Sequence, residues 1–231
     1  MQIFYSLPRQ HLLDYPPKRG IILAGEPGTG KTIICKALIS EADEITCITT
    51  AAYGTLHEQY ISELFSIAQD LSPSMVFIED LDFVGQERHD SYRGTPPLIA
   101  LLTEMDGIAE KTAIVTVATS NCFEMLDKAL SERPSRFDRV FKLIRPNCEQ
   151  RAELIKRISE KIPLSEDVRE YIVKVTSGFT PAQLQGVLHG MVISHSEMEE
   201  ETMQFNRSDV DSAIAWLNIR KKGPMGFSRI P

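Results

Sequence analysis

Short apolar runs recur along the chain at "GIILA" (20–24), "EITCI" (44–48), "SMVFI" (74–78), "AIVTVA" (113–118) and "RVFKLI" (139–144). Between them, apolar residues fall at helical spacing from Thr32 to Ala42, in "HEQYISELFSIAQDL" from His57, and in "PPLIALLTEMDG" from Pro96. Continuous apolar runs of this length suit strands buried on both faces. Strands alternating with helices predict an α/β doubly wound sheet, mostly parallel.

After Pro146 the pattern changes. "CEQRAELIKRISEKI", "SEDVREYIVKVTSG", "TPAQLQGVLHGMVISHSEME" and "RSDVDSAIAWLNIRKK" all read as helices, with no strand between them. In the last of these, Val210, Ala213, Ile214 and Leu217 share one face, and Ser208 is the expected N-cap. The expected organisation is an α/β part over 1–146, a small helical subdomain over 147–222, and a loose tail over 223–231.

One junction carries chemistry. Between the run "GIILA" and the first helix, Gly25, Gly28, Gly30, Lys31 and Thr32 fit G-x-x-x-x-G-K-[ST]. Glycines permit positive φ and close backbone approach, so successive N–H groups can line a concavity for phosphate oxygens. The helix N-terminus adds partial positive charge beneath them. Lys31 is expected to reach the β and γ phosphates of ATP, and the Thr32 hydroxyl to hold Mg2+. Glu26, Pro27, Thr29 and Ile33 complete the candidate nucleotide-binding stretch. A merely flexible turn would use the glycines without requiring the lysine and threonine that follow.

"SMVFIEDLD" ends an apolar strand in Glu79, Asp80 and Asp82. Carboxylates at the C-terminal end of a strand, beside a phosphate cradle, stand where Mg2+ and an attacking water are managed. "TVATSN" ends a second strand in Asn121, an amide suited to orienting water near the γ-phosphate. In "ALSERPSRFDRVF", Arg133, Arg136 and Arg139 are either solvated surface or planar cations for phosphate contact.

Composition narrows the classes. The 231 residues are 42% apolar and 25% charged, ordinary for a soluble globular protein. No apolar run approaches the roughly 18 residues of a membrane span, and the N-terminus lacks a signal-peptide layout. A net charge of −7 argues against a broad nucleic-acid surface. Cys35, Cys47, Cys122 and Cys148 have no metal spacing and read as reduced thiols, which points to a cytoplasmic location. "HEQYI" lacks the second histidine of a zinc-protease helix, its fifth residue being Ile61.

Together "GEPGTGKT", "MVFIEDLD", "LLTEMDG", "LDKALSERPSRFDR" and "GFTPAQL" resemble, in order and approximate spacing, the AAA ATPases of the AAA+ superfamily. The resemblance runs from Pro16 to about Leu217. It implies a P-loop sheet with a C-terminal all-α lid, and ATP hydrolysis with Mg2+. Lys31 and Thr32 are then the Walker A pair, Glu79 and Asp80 occupy Walker B, where Mg2+ is also held, and Asn121 is sensor 1. Arg133 and Arg136 match arginines that members insert into a neighbouring subunit's site, which implies a homo-oligomer, a hexameric ring in this family. "SGFTPAQL" places Phe179, Pro181 and Ala182 near the nucleotide. "AAYGTLHEQY" aligns with a pore loop and sets Tyr53 at the aromatic position that grips a polypeptide substrate, with Tyr92 and Arg93 in a second loop.

The chain departs from the family pattern in several places. Walker B reads Glu79 then Asp80, where most relatives have the shorter acid first, and the backbone is expected to compensate. Only 24 residues precede Gly25, one extra residue stands before Arg133, Ser135 replaces a glycine, and the pore-loop glycine has moved forward to Gly54. The implied activity is ATP-driven unfolding, translocation or remodelling of proteins. A nucleotide-gated scaffold with little hydrolysis, and a remodeller of membrane or nucleic-acid complexes, are the alternatives.

Overall fold

The computed structural model describes residues 20–52, 57–82, 96–107, 113–122, 137, 139–195 and 204–222. The chain divides into two compact units, Met1–Ile144 and Arg145–Pro231.

The first unit is built on strands β1 (Gly20–Gly25), β2 (Thr46–Ala51), β3 (Ser74–Glu79), β4 (Ile114–Ser120) and β5 (Arg139–Leu143), in the order β2-β3-β4-β1-β5. Every pairing among them is parallel. The three central strands are buried on both faces, which is why they read as unbroken apolar runs. β2 begins two residues later than "EITCI" predicts and runs on to Ala51. Its polar Thr49 and Thr50 are β-branched and pair with Phe77 and Ile78, a good use of threonine on an edge strand.

Helix α1 (Lys31–Ser40) covers one face of the sheet, where Ile21, Leu23, Met75, Phe77, Val115 and Val117 meet Ile34, Cys35 and Leu38. Helices α2 (Glu58–Asp70) and α3 (Pro96–Gly107) cover the other, packing Ile61, Phe65, Leu98 and Leu101 against Ile22, Val76, Ile78 and Ala118. The order β3-β4-β1 sets three buried strands side by side, so their C-terminal ends open at one edge of the sheet. In sheets of this kind ligands are taken up at that edge.

The second unit consists, among the described residues, of α4 (Cys148–Ile158), α5 (Glu166–Val175), α6 (Pro181–Ser194) and α7 (Arg207–Lys222). Its core gathers Ile155, Val168, Ile172, Leu184, Leu188, Met191 and Val210. α4 and α6 begin with reciprocal capping boxes, Asn147 with Gln150 and Thr180 with Gln183. At α7 the cap differs from expectation. The side chain of Asn206, not Ser208, accepts from the N–H groups of Ser208 and Asp209 at 2.8 and 3.3 Å, and Asp209 accepts in return from the Asn206 N–H. The helix starts at Arg207, two residues too early for Ser208 to be its N-cap. Among the described residues no helix is long and apolar enough to cross a membrane.

Candidate active site

β1 ends at Gly25, and α1 begins six residues later at Lys31. The N–H and the hydroxyl of Thr29 both donate to the carbonyl of Glu26, at 3.3 and 2.8 Å, which closes the turn on itself. Gly28 and Gly30 hold φ of 82° and 105°, the left-handed region that side chains other than glycine rarely adopt. Gly30 caps α1 with no side chain to bond the first N–H groups, so these remain for an anion. A Cβ on Gly30 would meet nothing within 4 Å, so the turn is open on that side.

Lys31 is buried, and its Nζ donates to the carbonyls of Gly25 and Glu26 at 2.7 and 3.0 Å. Burial pulls its pKa below the ordinary lysine value, and the negative charges of Asp80 and Asp82 work against that shift. The ammonium thus lies within electrostatic reach of two carboxylates while its hydrogen bonds go to the loop's own carbonyls. Thr32 and Ile33 are exposed just beyond it, Ile33 to 65%.

Glu79 is the last residue of β3 and is half-buried. Strand alternation puts it on the face of Met75 and Phe77, the face that α1 covers. Cys35, on α1 one turn beyond Thr32, reports the same placement. Its thiol pKa is pushed up to about 11, first by burial and then by the charge of Glu79. Thr32 and Glu79 thus share a side of the sheet, a donor set suited to Mg2+, which takes one or two protein oxygens along with phosphate and water.

Asp80 leaves the strand with φ of 55°. Among non-glycine residues aspartate is one of the few that enter this region readily, because its short side chain bonds locally. The glutamate thus stays in the extended strand and the shorter acid takes the turn. The N–H of Asp80 donates to the Thr119 hydroxyl at 2.9 Å, and the N–H of Leu81 to the Thr119 carbonyl at 2.8 Å. Asn121, just past β4, donates its side-chain amide to Oδ1 of Asp80 at 2.9 Å, and its own N–H to Oδ1 of Asp82 at 2.9 Å.

The first unit therefore brings together the stretch from Gly25 to Ile33 with Glu79, Asp80 and Asn121. Phe179, Pro181 and Ala182 belong to the second unit, where Phe179 packs against the helical core and Pro181 opens α6. Tyr53, Tyr92, Arg93, Arg133 and Arg136 lie outside the described residues. Sequence reasoning gave no separate role to Asp82 and none to Thr119. Thr119 stands on β4 beside the acidic end of β3, a register that the sequence does not display.

A parallel sheet whose adjacent strand ends carry a glycine–lysine phosphate loop, paired carboxylates and an amide defines a P-loop nucleoside-triphosphate hydrolase. The family described as "ATPase family associated with various cellular activities (AAA)" matches residues 21–145. The chain is 34% identical over 96% of its length to an ATP-dependent zinc metalloprotease FtsH of Mycoplasmopsis pulmonis, covering 33% of that protein. It is 33% identical over 98% of its length to the protein of that name from Caldicellulosiruptor bescii, covering 38% of it. To the chloroplastic ATP-dependent zinc metalloprotease FTSH 7 of Oryza sativa subsp. japonica it is 34% identical, over 87% of this chain and 26% of the other. The chain belongs to the AAA ATPase family, enzymes that hydrolyse ATP with Mg2+. It spans about a third of the length of the curated relatives it matches.

Proposed function

We propose that this chain is the motor module of a ring that couples ATP hydrolysis to the unfolding, translocation or remodelling of polypeptides. The observation that carries the hydrolytic part is the Asn121–Asp80 hydrogen bond at 2.9 Å, in the unit whose buried Lys31 feels the charge of Asp80. Bound MgATP supplies the phosphoanhydride to be cleaved and a metal charge that offsets the charge developing on it. Lys31 and the free N–H groups at the start of α1 hold phosphate oxygens. Thr32 and Glu79 would hold the metal. Asp80 accepts the hydrogen bond of the attacking water and raises its nucleophilicity, while Asn121 fixes the direction of that carboxylate. Arg133 and Arg136 act in the site of a neighbouring copy, where such an arginine is worth roughly 10³ to 10⁵ in rate in the GTPases where it has been dissected.

All three of these relatives are named ATP-dependent zinc metalloproteases, which supports a polypeptide as the thing acted upon. Tyr53 suits that substrate. An aromatic ring offers large contact area at low entropic cost and demands no particular sequence. The test is Tyr53→Ala in the full-length assembly, with unfolding of a tagged model protein and ATP hydrolysis measured side by side. The expected outcome is intact nucleotide affinity, near-parental basal hydrolysis and no unfolding. Unfolding at the parental rate would remove Tyr53 and the threading mechanism.

A further inference from the structure

The carboxylate and amide at the heart of the site are placed by other groups. Asp80 holds a left-handed backbone, φ 55°, directly after an extended strand. Such a conformation persists in a non-glycine residue only where its surroundings over-determine it. Here the surroundings are Thr119, which is 2% exposed. Its hydroxyl accepts the Asp80 N–H at 2.9 Å, and its carbonyl accepts the Leu81 N–H at 2.8 Å. One residue of β4 thus takes both N–H groups of the turn that leaves β3. Asn121 is held in a parallel way, its N–H donating at 2.9 Å to Asp82, a carboxylate only 5% exposed.

We propose that Thr119 and Asp82 are positioning residues for hydrolysis, Thr119 fixing the main chain of Asp80 and Asp82 that of Asn121, so that carboxylate and amide meet in one orientation. This rests on the assignment of Asp80 and Asn121 to hydrolysis. Both anchors act across the same strand boundary and in opposite directions. A β4 hydroxyl holds β3's acid, and an acid beyond β3 holds β4's amide. Loss of either releases one partner of the pair by the order of 1 Å, a displacement that costs about 10²-fold in rate. Neither anchor needs to touch ATP, so substrate affinity stays.

The sharpest variant is Thr119→Val, which keeps the branched shape and removes the hydroxyl. In the full-length protein, steady-state ATP hydrolysis is expected to fall 10-fold to 100-fold in kcat, with KM and the affinity for a fluorescent ATP analogue within about threefold of parental. Thr119→Ser returns the hydroxyl and is expected to recover most of kcat. Asp82→Ala is expected to lower kcat with KM unchanged, and Asp82→Asn, which keeps the acceptor oxygen, to lower it less.

A merely structural role predicts otherwise: Thr119→Ser no better than Thr119→Val, or KM rising as kcat falls in all four variants. Either result overturns the proposal, as does a parental kcat in Thr119→Val. Should Thr119→Val fail to fold, shown by loss of analogue binding, the Asp82→Ala and Asp82→Asn pair decides, equal rates counting against the inference. Asp80→Asn is measured alongside. If it hydrolyses at the parental rate, the underlying assignment of Asp80 fails; if it is inactive while Thr119→Val keeps the parental kcat, only the positioning role fails.

Discussion

Gly25 lies opposite Leu143 in the parallel ladder between β1 and β5, and the Leu143 carbonyl stands where a side chain on residue 25 would begin. A Cβ there would come within 3.0 Å of that backbone oxygen and 2.9 Å from the Thr29 hydroxyl. The first glycine of the phosphate loop is thus required by the sheet as well as by the ligand. It lets β5 close against β1 at the point where β1 turns toward α1.

Gly25→Ala is therefore expected to destabilise the first unit, since backbone must move to admit the methyl. Overpacking of this kind costs about 1–3 kcal/mol. Urea denaturation followed by circular dichroism measures it, and nucleotide affinity should weaken in the same variant because Thr29 is displaced. A parental midpoint would mean that β5 yields freely.

The start of α7 offers a two-variant comparison. Asn206→Ala removes the acceptor for two helix N–H groups and is expected to cost about 1 kcal/mol. Ser208→Ala, inside the helix, is expected to change stability by no more than a few tenths of a kcal/mol. Thermal unfolding of both variants checks the order, and a larger loss at Ser208 would move the helix start.

Cys35 gives a prediction in pH. Burial and the neighbouring Glu79 raise its pKa from 9.0 to about 11 in the folded protein. Above pH 9 the unfolded chain therefore sheds this proton while the folded one keeps it, and stability falls as pH rises. The contribution is fully present below 9 and is lost progressively as pH climbs toward 11. Comparing urea midpoints of the parent and Cys35→Ala across that window isolates it. The difference between the two should shift against the parent as pH rises, and a constant difference would place Cys35 in a less buried setting.

Much of this fold was legible because its central strands are buried on both faces, which leaves unbroken apolar runs in β1, β3 and β4 that no polar alternation obscures. β2 was less legible for the opposite reason. As an edge strand it mixes threonines with apolar residues, and polarity at Thr49 and Thr50 reads as the start of a loop. The cap of α7 was missed because Asn206 and Ser208 are both good capping residues, and only the geometry says which one precedes the first turn. In the site, the phosphate loop announced itself through residue types that only that geometry requires. The left-handed Asp80 did not, since a backbone angle leaves no mark beyond the choice of a short acid. Thr119 was hidden for a related reason: what matters is its hydroxyl's reach across the ladder to a neighbouring strand, and a sequence does not display register.

The central claim is that Asp80 drives hydrolysis in a site that binds nucleotide through Lys31. Steady-state phosphate release and nucleotide affinity, measured on the assembled parent, Asp80→Asn and Lys31→Ala, test it most directly. The account predicts parental affinity with a loss of at least about 10²-fold in rate for Asp80→Asn, the order expected when a general base is removed, and no measurable binding for Lys31→Ala. Hydrolysis by Asp80→Asn at the parental rate would contradict it.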